Sequence, residues 1–191
     1  MLPARPRLTP GIMQAVAAES RCLSCARNVT LADLPPREQV YVGPRWRVAH
    51  AFGTSLPGWL VMVPRRHVMT LDQLTAEEAA DLDPLLRALT AAMRTVLGCS
   101  MTYVALFAEA EGFEHVHFHV VPRSPDMDPG LRGPRVFGQL GGDPAGHVPA
   151  QAARVRVLAG LACGQLGDGD TAEMELDAAA RSFRSWARHR T

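Results

Sequence analysis

The segment from His115 to Val121 most constrains what this chain can fold into. Histidine alternates there with valine and phenylalanine, at His115, His117 and His119. Successive side chains of a β-strand point to opposite faces, so the alternation predicts a strand with one apolar face and one histidine face. Ionisable side chains clustered on a rigid element are typical of a functional site. Three chance histidines on a solvated face are the weaker interpretation, because the whole chain has 7 histidines.

Four further strands and one main helix surround this segment. Runs of β-branched and aromatic residues bounded by glycine and proline predict strands over 39–43, 45–52, 58–63 and 103–108. Thr75 and Glu78 form a capping box that begins an amphipathic helix reaching Leu97. Pro84 falls inside this helix, so we expect a kink or a restart there. The short connections predict an α+β domain with a mainly antiparallel sheet of about five strands and one main packed helix.

The chain divides into three predicted parts. Residues 1–20 form a proline-broken N-terminal tail that ends in a short helix over 12–19. Residues 21–143 hold the predicted sheet and main helix and form the folded domain. Residues 144–191 form a C-terminal helical extension that packs on the domain or on a partner subunit. Its two predicted helices span 150–163 and 171–188.

Composition excludes several classes of function. All 20 basic residues are arginine, so lysine Schiff-base, P-loop-lysine and lysine general-base chemistry are absent. The net charge of +1 provides no electrostatic argument for a nucleic-acid or anionic-membrane partner. No apolar run is long enough to predict a transmembrane helix, and the N-terminus lacks the continuous apolar region of a secretory signal. We therefore expect a cytoplasmic protein with no nucleic-acid or membrane partner.

The cysteines are distributed as one close pair and two single residues. Cys22 and Cys25 form a Cys-x-x-Cys motif, for which we expect a tight turn followed by a loop, whereas Cys99 and Cys163 stand alone. This is not the density of a disulfide scaffold. The pair fits a metal site or a redox pair, and the single cysteines fit core thiols. No βαβ pattern surrounds the pair, which argues against a thioredoxin-like role.

Two separated segments together resemble the histidine triad (HIT) superfamily of nucleotide hydrolases and transferases. One is the His-x-His-x-His motif followed by two apolar residues, over 115–121. The other runs from Pro57 to His67 and is similar to the family's strand with a Pro-Lys/Arg-x-His ending. The resemblance spans residues 22–123. It implies a HIT-like fold, a small-molecule nucleotide substrate, no organic cofactor and a homodimer.

The resemblance also assigns roles to individual residues. His117 matches the nucleophile that attacks the α-phosphorus of a nucleoside phosphate derivative and forms a nucleotidyl-histidine intermediate. A neutral imidazole approaches an anionic phosphorus without the repulsion that a carboxylate would meet. His119 matches the histidine that contacts the phosphate or the leaving group. The candidate substrate-binding side chains are Arg65, Arg123 and His50, with solvated surface charge as the competing interpretation of the arginines.

A structural zinc ion is a further implication of the resemblance. In relatives with an N-terminal Cys-x-x-Cys, two cysteines and two histidines bind zinc, and the matching positions are Cys22, Cys25, His67 and His115. Such a set closes a tetrahedron without an open position, so the zinc would be structural. A competing interpretation is a catalytic zinc ion held by the three histidines of the triad.

Several positions depart from the family pattern. The acidic or asparagine residue that usually binds the ribose hydroxyls falls near Ala51, and a further histidine of many members is replaced by Trp59, which we interpret as core packing. The segment that precedes the triad, over 110–114, lacks the family's amide and hydroxyl and contains Glu111 and Glu114. These departures motivate an alternative function, a zinc-stabilised nucleotide-binding or interaction module with little catalytic activity.

Overall fold

The computed structural model describes residues 21–34, 38–51, 53, 54, 56 and 58–141, apart from the side chain of Val96. The helices are α1 (Leu23–Val29) and α2 (Ala76–Leu97). The strands are β1 (Tyr41–Val42), β2 (Trp46–His50), β3 (Leu60–Pro64), β4 (Met101–Leu106) and β5 (Phe118–Arg123). Short 3-10 helices span Leu31–Asp33, Leu71–Gln73, Pro129–Leu131 and Gly133–Gln139. The predicted tail at 1–20 and the predicted extension at 144–191, with their helices, lie outside the described residues.

The five strands form one sheet in the order β1-β2-β3-β5-β4, and every neighbouring pair is antiparallel. The α+β prediction with a mainly antiparallel five-stranded sheet is therefore confirmed. Two hairpins build β1-β2-β3, whereas the connection through α2 and β4 brings β5 back beside β3. This order puts Val61 of β3 directly opposite His119 of β5.

Helix α2 covers one face of the sheet. Its capping box is formed as predicted, with the Thr75 hydroxyl accepting from the Glu78 amide and the Glu78 carboxylate accepting from the Thr75 amide. The expectation of a restart at Pro84 is wrong, because α2 continues through it. Pro84 and Ala80 both lie on the exposed side of the helix, where water can bind the carbonyl that the proline leaves without a partner.

The core lies between α2 and the sheet. Alternate residues of β2, β3 and β5 point toward the helix and are fully or almost fully buried, as the sequence periodicity predicts. The core includes Trp46, Val48, Leu60, Met62, Phe118 and Val120 from the strands, and Leu85, Leu89, Ala92 and Met93 from α2. The remaining residues of the same strands face the opposite side of the sheet, where α1 lies.

Two further local predictions differ from the structure. The Cys-x-x-Cys segment is not a turn ahead of a loop, because Cys22 is the N-cap of α1 and Cys25 lies in its first turn. Strand β5 begins at Phe118 rather than at His115, since the Val116 amide donates to the Val68 carbonyl instead of to a neighbouring strand. Val116 still points into the core, so the alternation of faces holds through the whole motif.

None of the helices in the described part of the chain is both long and apolar enough to span a membrane.

Candidate functional site

A pocket of about 230 Å³ opens on the face of the sheet that α2 does not cover. Strands β2 and β3 and the histidine motif form its floor, and α1 forms a wall. The lining residues are Leu23, Ser24, Arg27, Glu38, Arg47, Ala49, His50, Ala51, Val61, Val63, Ala110, Phe113, His117, His119 and Leu140. The pocket is mostly apolar, and its polar side chains include the pair His117 and His119 and a charged cluster of Arg27, Glu38 and Arg47.

The sheet register arranges the floor in two rows of side chains. Val61 pairs with a residue of β2 on one side and of β5 on the other. The same antiparallel register, continued by two residues, places Val63 of β3 beside His117, which directly precedes β5. The two rows are Ala49–Val61–His119 and Arg47–Val63–His117.

The backbone sets the tautomer of His117. Its Nδ1 lies 2.7 Å from the carbonyl oxygen of His115. A carbonyl oxygen only accepts hydrogen bonds, so Nδ1 carries the proton and donates. The other ring nitrogen, Nε2, of the neutral imidazole therefore keeps its lone pair, which is the form that a nucleophile needs.

His119 has the opposite tautomer. The indole Nε1–H of Trp59 donates to His119 Nδ1 over 3.0 Å, so the proton of the neutral imidazole is on Nε2. Burial, and secondarily the neighbouring His117, lower the pKa of His119 from 6.5 to about 4. The ring of Phe137 packs edge-on against His119 with a centroid separation of 5.2 Å. His119 is therefore held neutral, with an N–H donor available at Nε2.

Cys22, Cys25, His67 and His115 come together in one group, and their ligand atoms all lie within 4.8 Å of one another. His115 Nδ1 is 3.3 Å from Cys22 Sγ and 3.6 Å from Cys25 Sγ, and His67 Nδ1 is 3.2 Å from Cys25 Sγ. A tetrahedral zinc ion, bonded at about 2.3 Å to sulfur and about 2.0 Å to nitrogen, separates the two atom types by roughly 3.5 Å. The donor set and its spacing therefore fit zinc.

The second nitrogen of His115 orients the ring toward this group. His115 Nε2–H donates to the Pro64 carbonyl over 3.0 Å, which leaves the Nδ1 lone pair directed at the cysteines. Burial, followed by the charge of His67, lowers the pKa of His115 to about 4, so its ring is neutral, as a metal ligand must be. One nitrogen of His115 therefore contacts the Pro64 carbonyl and the other contacts the cysteines, so neither is directed at His117 or His119. This geometry does not bring the three histidines together around one catalytic metal ion.

The predicted substrate-binding residues lie in different places. His50 is buried and lines the pocket, with its Nδ1–H donating to the Ala51 carbonyl over 2.9 Å. Arg65 and Arg123 do not line it. Arg65 donates to the Gly43 carbonyl over 3.3 Å, and Arg123 lies opposite Met101 at the far end of β5.

A buried charged cluster in the pocket was not predicted from the sequence. Glu38 and Arg47 are both only 2% exposed, and Arg47 Nη1 lies 3.3 Å from a Glu38 carboxylate oxygen. Arg27 of α1 pairs with the other oxygen of that carboxylate. Burial lowers the pKa of Arg47, although Glu38 opposes this effect. The only sequence signal was that Arg47 falls between the core positions Trp46 and Val48, and therefore on the face of β2 away from α2.

Comparisons with known proteins agree with this architecture. Residues 36–126 match the family model described as the HIT domain. A hypothetical histidine triad nucleotide-binding protein from Sulfolobus tokodaii strain 7 has a TM-score of 0.59 at 13% identity, over 78% of this chain and 98% of that chain. A zinc-bound histidine triad family protein from Mycobacterium smegmatis has a TM-score of 0.56 at 18% identity, over 76% and 95%.

A third solved structure, a histidine triad protein from Bradyrhizobium japonicum, has a TM-score of 0.51 at 19% identity, over 61% of this chain and 86% of that chain. No curated protein sequence matches the chain significantly. The five-stranded antiparallel sheet with its packed helix is therefore a HIT-like fold, and residues 36–126 are the part of the chain that matches the HIT domain.

Proposed function

We propose that this protein is a HIT-type nucleotide hydrolase or nucleotidyl transferase that acts at the α-phosphate of a nucleoside monophosphate derivative. The observation that carries the proposal is the pairing of His117 and His119 in one pocket, with ring centroids 5.0 Å apart and opposite tautomers. One ring offers a lone pair at Nε2 and the other offers an N–H. A nucleophile and a hydrogen-bond donor are what displacement at a phosphate requires.

In the first step, Nε2 of His117 forms a bond to the α-phosphorus, and the bond from phosphorus to the leaving atom breaks. The leaving group departs with that electron pair and takes any proton it needs from water. His119 Nε2–H donates a hydrogen bond to a phosphoryl oxygen or to the leaving atom and stabilises the charge that develops there. The His115 carbonyl accepts from His117 Nδ1–H and stabilises the positive charge that the ring acquires.

In the second step, water or another acceptor attacks the phosphorus of the nucleotidyl-histidine. The phosphorus–nitrogen bond breaks, and its electron pair returns to Nε2 of His117. The attacking group loses its proton to solvent, and the product is a nucleoside monophosphate when water attacks or the nucleotidylated acceptor when another acceptor attacks. Suitable donors are nucleoside phosphoramidates and dinucleoside polyphosphates, because each carries a leaving group on the α-phosphorus.

Zinc has a structural role in this proposal. The two cysteines at the start of α1 and the two histidines His67 and His115 would hold it, and all four positions of the tetrahedron would then be filled by protein. The bound ion would link α1 to the sheet. Since α1 supplies Leu23, Ser24 and Arg27 to the pocket, the metal group supports a wall of the active site. The homodimer stays a prediction of the family resemblance, and the cytoplasmic location and the absence of nucleic-acid and membrane partners stay predictions of the sequence.

A specific observation favours a second candidate function, a zinc-stabilised nucleotide-binding or interaction module with little catalytic activity. Ala51 lines the pocket near the position where HIT relatives carry a ribose-binding acidic or asparagine side chain. An alanine offers nothing to the ribose hydroxyls, so a nucleoside is held less firmly. In this case nucleotides bind, but no covalent intermediate accumulates.

Intact-mass analysis separates the two functions. The zinc-loaded chain is incubated with a panel of nucleoside phosphoramidates and dinucleoside polyphosphates, quenched without acid, and mapped by peptide mass. We expect a nucleotidyl adduct on His117 that disappears in His117→Ala and His117→Asn. His189→Asn, which replaces a histidine outside the motif, is the matched control and keeps the adduct. Nucleotide binding by a folded protein that yields neither adduct nor turnover would favour the binding module.

A further inference from the structure

The charged cluster around Arg47 is a polar region of the pocket that is separate from the histidine pair. Arg47 lies in the same row as His117, with Val63 of β3 between them. Neighbouring strands lie about 4.8 Å apart, so the backbones at the two ends of this row are roughly 10 Å apart. A nucleotide with its phosphate at His117 extends over a similar distance to the edge of its base. The base edge of a substrate therefore reaches the neighbourhood of Arg47.

The space between these two places suits an aromatic base. Val61 and Val63 form its floor, and Leu23 and Phe113 border it from the walls. None of these side chains can hydrogen-bond to the ligand, so they favour burial of a flat apolar ring without discriminating between bases. Selectivity between bases must therefore come from the polar groups around Arg47, at the end of the pocket away from the histidine pair.

One N–H donor group of Arg47, Nη2, is available to a ligand in the pocket. Its Nε–H donates to Asn28 Oδ1 over 2.9 Å, and Nη1 donates to the backbone and carboxylate oxygens of Glu38. Within the described residues, Nη2 makes no hydrogen bond, and it is not among the buried side-chain atoms that lack a partner, so solvent reaches this atom. Because the residue is only 2% exposed and lines the pocket, this donor faces the pocket.

Two neighbours of Arg47 strengthen its preference for an acceptor. The guanidinium groups of Arg27 and Arg47 surround the single carboxylate of Glu38, so the three side chains together carry a charge of +1. Ser24 of α1 is buried, lines the same pocket and makes no side-chain hydrogen bond to the described part of the chain, so its hydroxyl is a second available donor. A ligand edge that offers only N–H groups would leave these donors unsatisfied.

We propose that Arg47 makes the pocket select nucleotides whose base carries an exocyclic carbonyl at C6 of a purine or C4 of a pyrimidine, as guanine, hypoxanthine and uracil do. Adenine and cytosine carry an exocyclic amino group at the equivalent position, and this group directs its hydrogens at the guanidinium. Pairing of arginine with the O6 and N7 acceptors of guanine is the same chemistry. The inference rests on the proposed function, because it takes the α-phosphate to be bound at His117.

Equilibrium binding of nonreactive mononucleotides tests the inference on the zinc-loaded full chain. Inosine monophosphate and adenosine monophosphate form the sharpest pair, since they differ by the carbonyl or amino group at position 6 and the accompanying ring proton. Isothermal titration calorimetry is expected to give a Kd roughly fivefold or more lower for inosine monophosphate. Uridine and cytidine monophosphates are expected to differ in the same direction.

Variants assign the preference to Arg47. Arg47→Met removes the donor, leaves Glu38 paired with Arg27, and is expected to bring the Kd ratio close to one. Arg65→Met, which removes an arginine outside the pocket, is the matched control and keeps the ratio. If Arg47→Met does not fold, Arg47→Lys keeps the charge but loses the planar guanidinium, and the ratio is expected to fall.

Equal or tighter binding of adenosine monophosphate by the unmodified protein overturns the inference without any variant. A preference that persists in folded Arg47→Met also overturns it. In both cases an adduct on His117 leaves the proposed function standing, so the two failures are distinguishable. Absence of both mononucleotide binding and the adduct overturns the two together.

Discussion

The indole nitrogen of Trp59 donates a hydrogen bond to Nδ1 of His119, and this contact joins two residues that are 60 positions apart in the chain. Trp59 is fully buried, and its ring also packs edge-on against Phe137 at 5.2 Å. An indole can donate but cannot accept, so the contact excludes a proton at Nδ1 of His119. Trp59 is therefore a positioning residue for His119 as well as part of the apolar packing.

Trp59→Phe is expected to lower kcat by roughly threefold to tenfold, because it removes one hydrogen bond worth about 0.5–1.5 kcal/mol and keeps an aromatic ring. The change should also release the tautomer of His119, which ¹⁵N NMR of histidine-labelled protein reports directly. Comparison with His119→Gln assigns the resonance. An unchanged His119 tautomer in a folded Trp59→Phe protein would refute the positioning role.

Acid is expected to destabilise the protein through His119. Its pKa is about 4 in the folded state, below the ordinary value of 6.5, so between these values the unfolded chain binds more protons. The contribution to the free energy of unfolding is present above pH 6.5 and is lost as the pH falls toward 4, by on the order of 3 kcal/mol at most. Urea unfolding at pH 7 and pH 4.5 measures the loss.

His119→Gln isolates this contribution from acid release of a metal ion, which affects both proteins. Glutamine keeps an oxygen that can accept from Trp59 but has no group that titrates in this range. We expect the variant to lose less stability than the unmodified protein between the two pH values. Equal losses in the two proteins would contradict the role of His119.

Cys22→Ser is expected to lower the zinc content and the melting temperature together. Loss of an ion present at about 1,000 times its Kd costs about 4 kcal/mol, which corresponds to roughly 8–16 °C for a chain of this size. Metal analysis and thermal unfolding measure the two effects. Cys99→Ser, which replaces a buried cysteine outside the metal group, is the matched control and should keep the zinc.

The same variant should affect substrate binding more than chemistry. Helix α1 begins at the metal group and supplies three residues to the pocket wall, whereas His119 lies on β5 and His117 directly precedes this strand. We expect Cys22→Ser to raise KM with a smaller change in kcat, and to accelerate amide hydrogen exchange in α1. Slow exchange in α1 after complete metal removal would show that packing alone holds the helix.

Thr75→Ala is expected to lower the free energy of unfolding by about 1 kcal/mol, because it removes the N-terminal cap of α2. The Thr75 hydroxyl accepts from the Glu78 amide over 3.2 Å, and alanine leaves that amide without this partner. Denaturant unfolding at neutral pH measures the loss. Thr95→Ala, at an exposed position late in the same helix, should leave stability equal or slightly higher, because alanine has the greater helix propensity.

The sequence by itself determined the features that depend only on residues close together in the chain. The alternation around His117 places it on the opposite side of the strand from Phe118, whatever lies next to that strand. The Thr75 and Glu78 cap likewise involves residues only three positions apart. Hairpins and amphipathic α2 follow from similar local patterns, and together they were enough to predict a mainly antiparallel α+β fold.

Only the tertiary structure decided which side chains share the pocket. Arg47 comes to lie in the same row as His117 because β3 pairs with both β2 and β5, and no local pattern in the sequence specifies that strand order. Glu38 and Arg27 join Arg47 because α1 packs across the sheet on that side. The hydrogen bond from Trp59 depends on the same pairing of β3 with β5. Contacts between residues far apart in sequence arise from the packing of whole elements, whereas local periodicity reports only the face on which each residue lies.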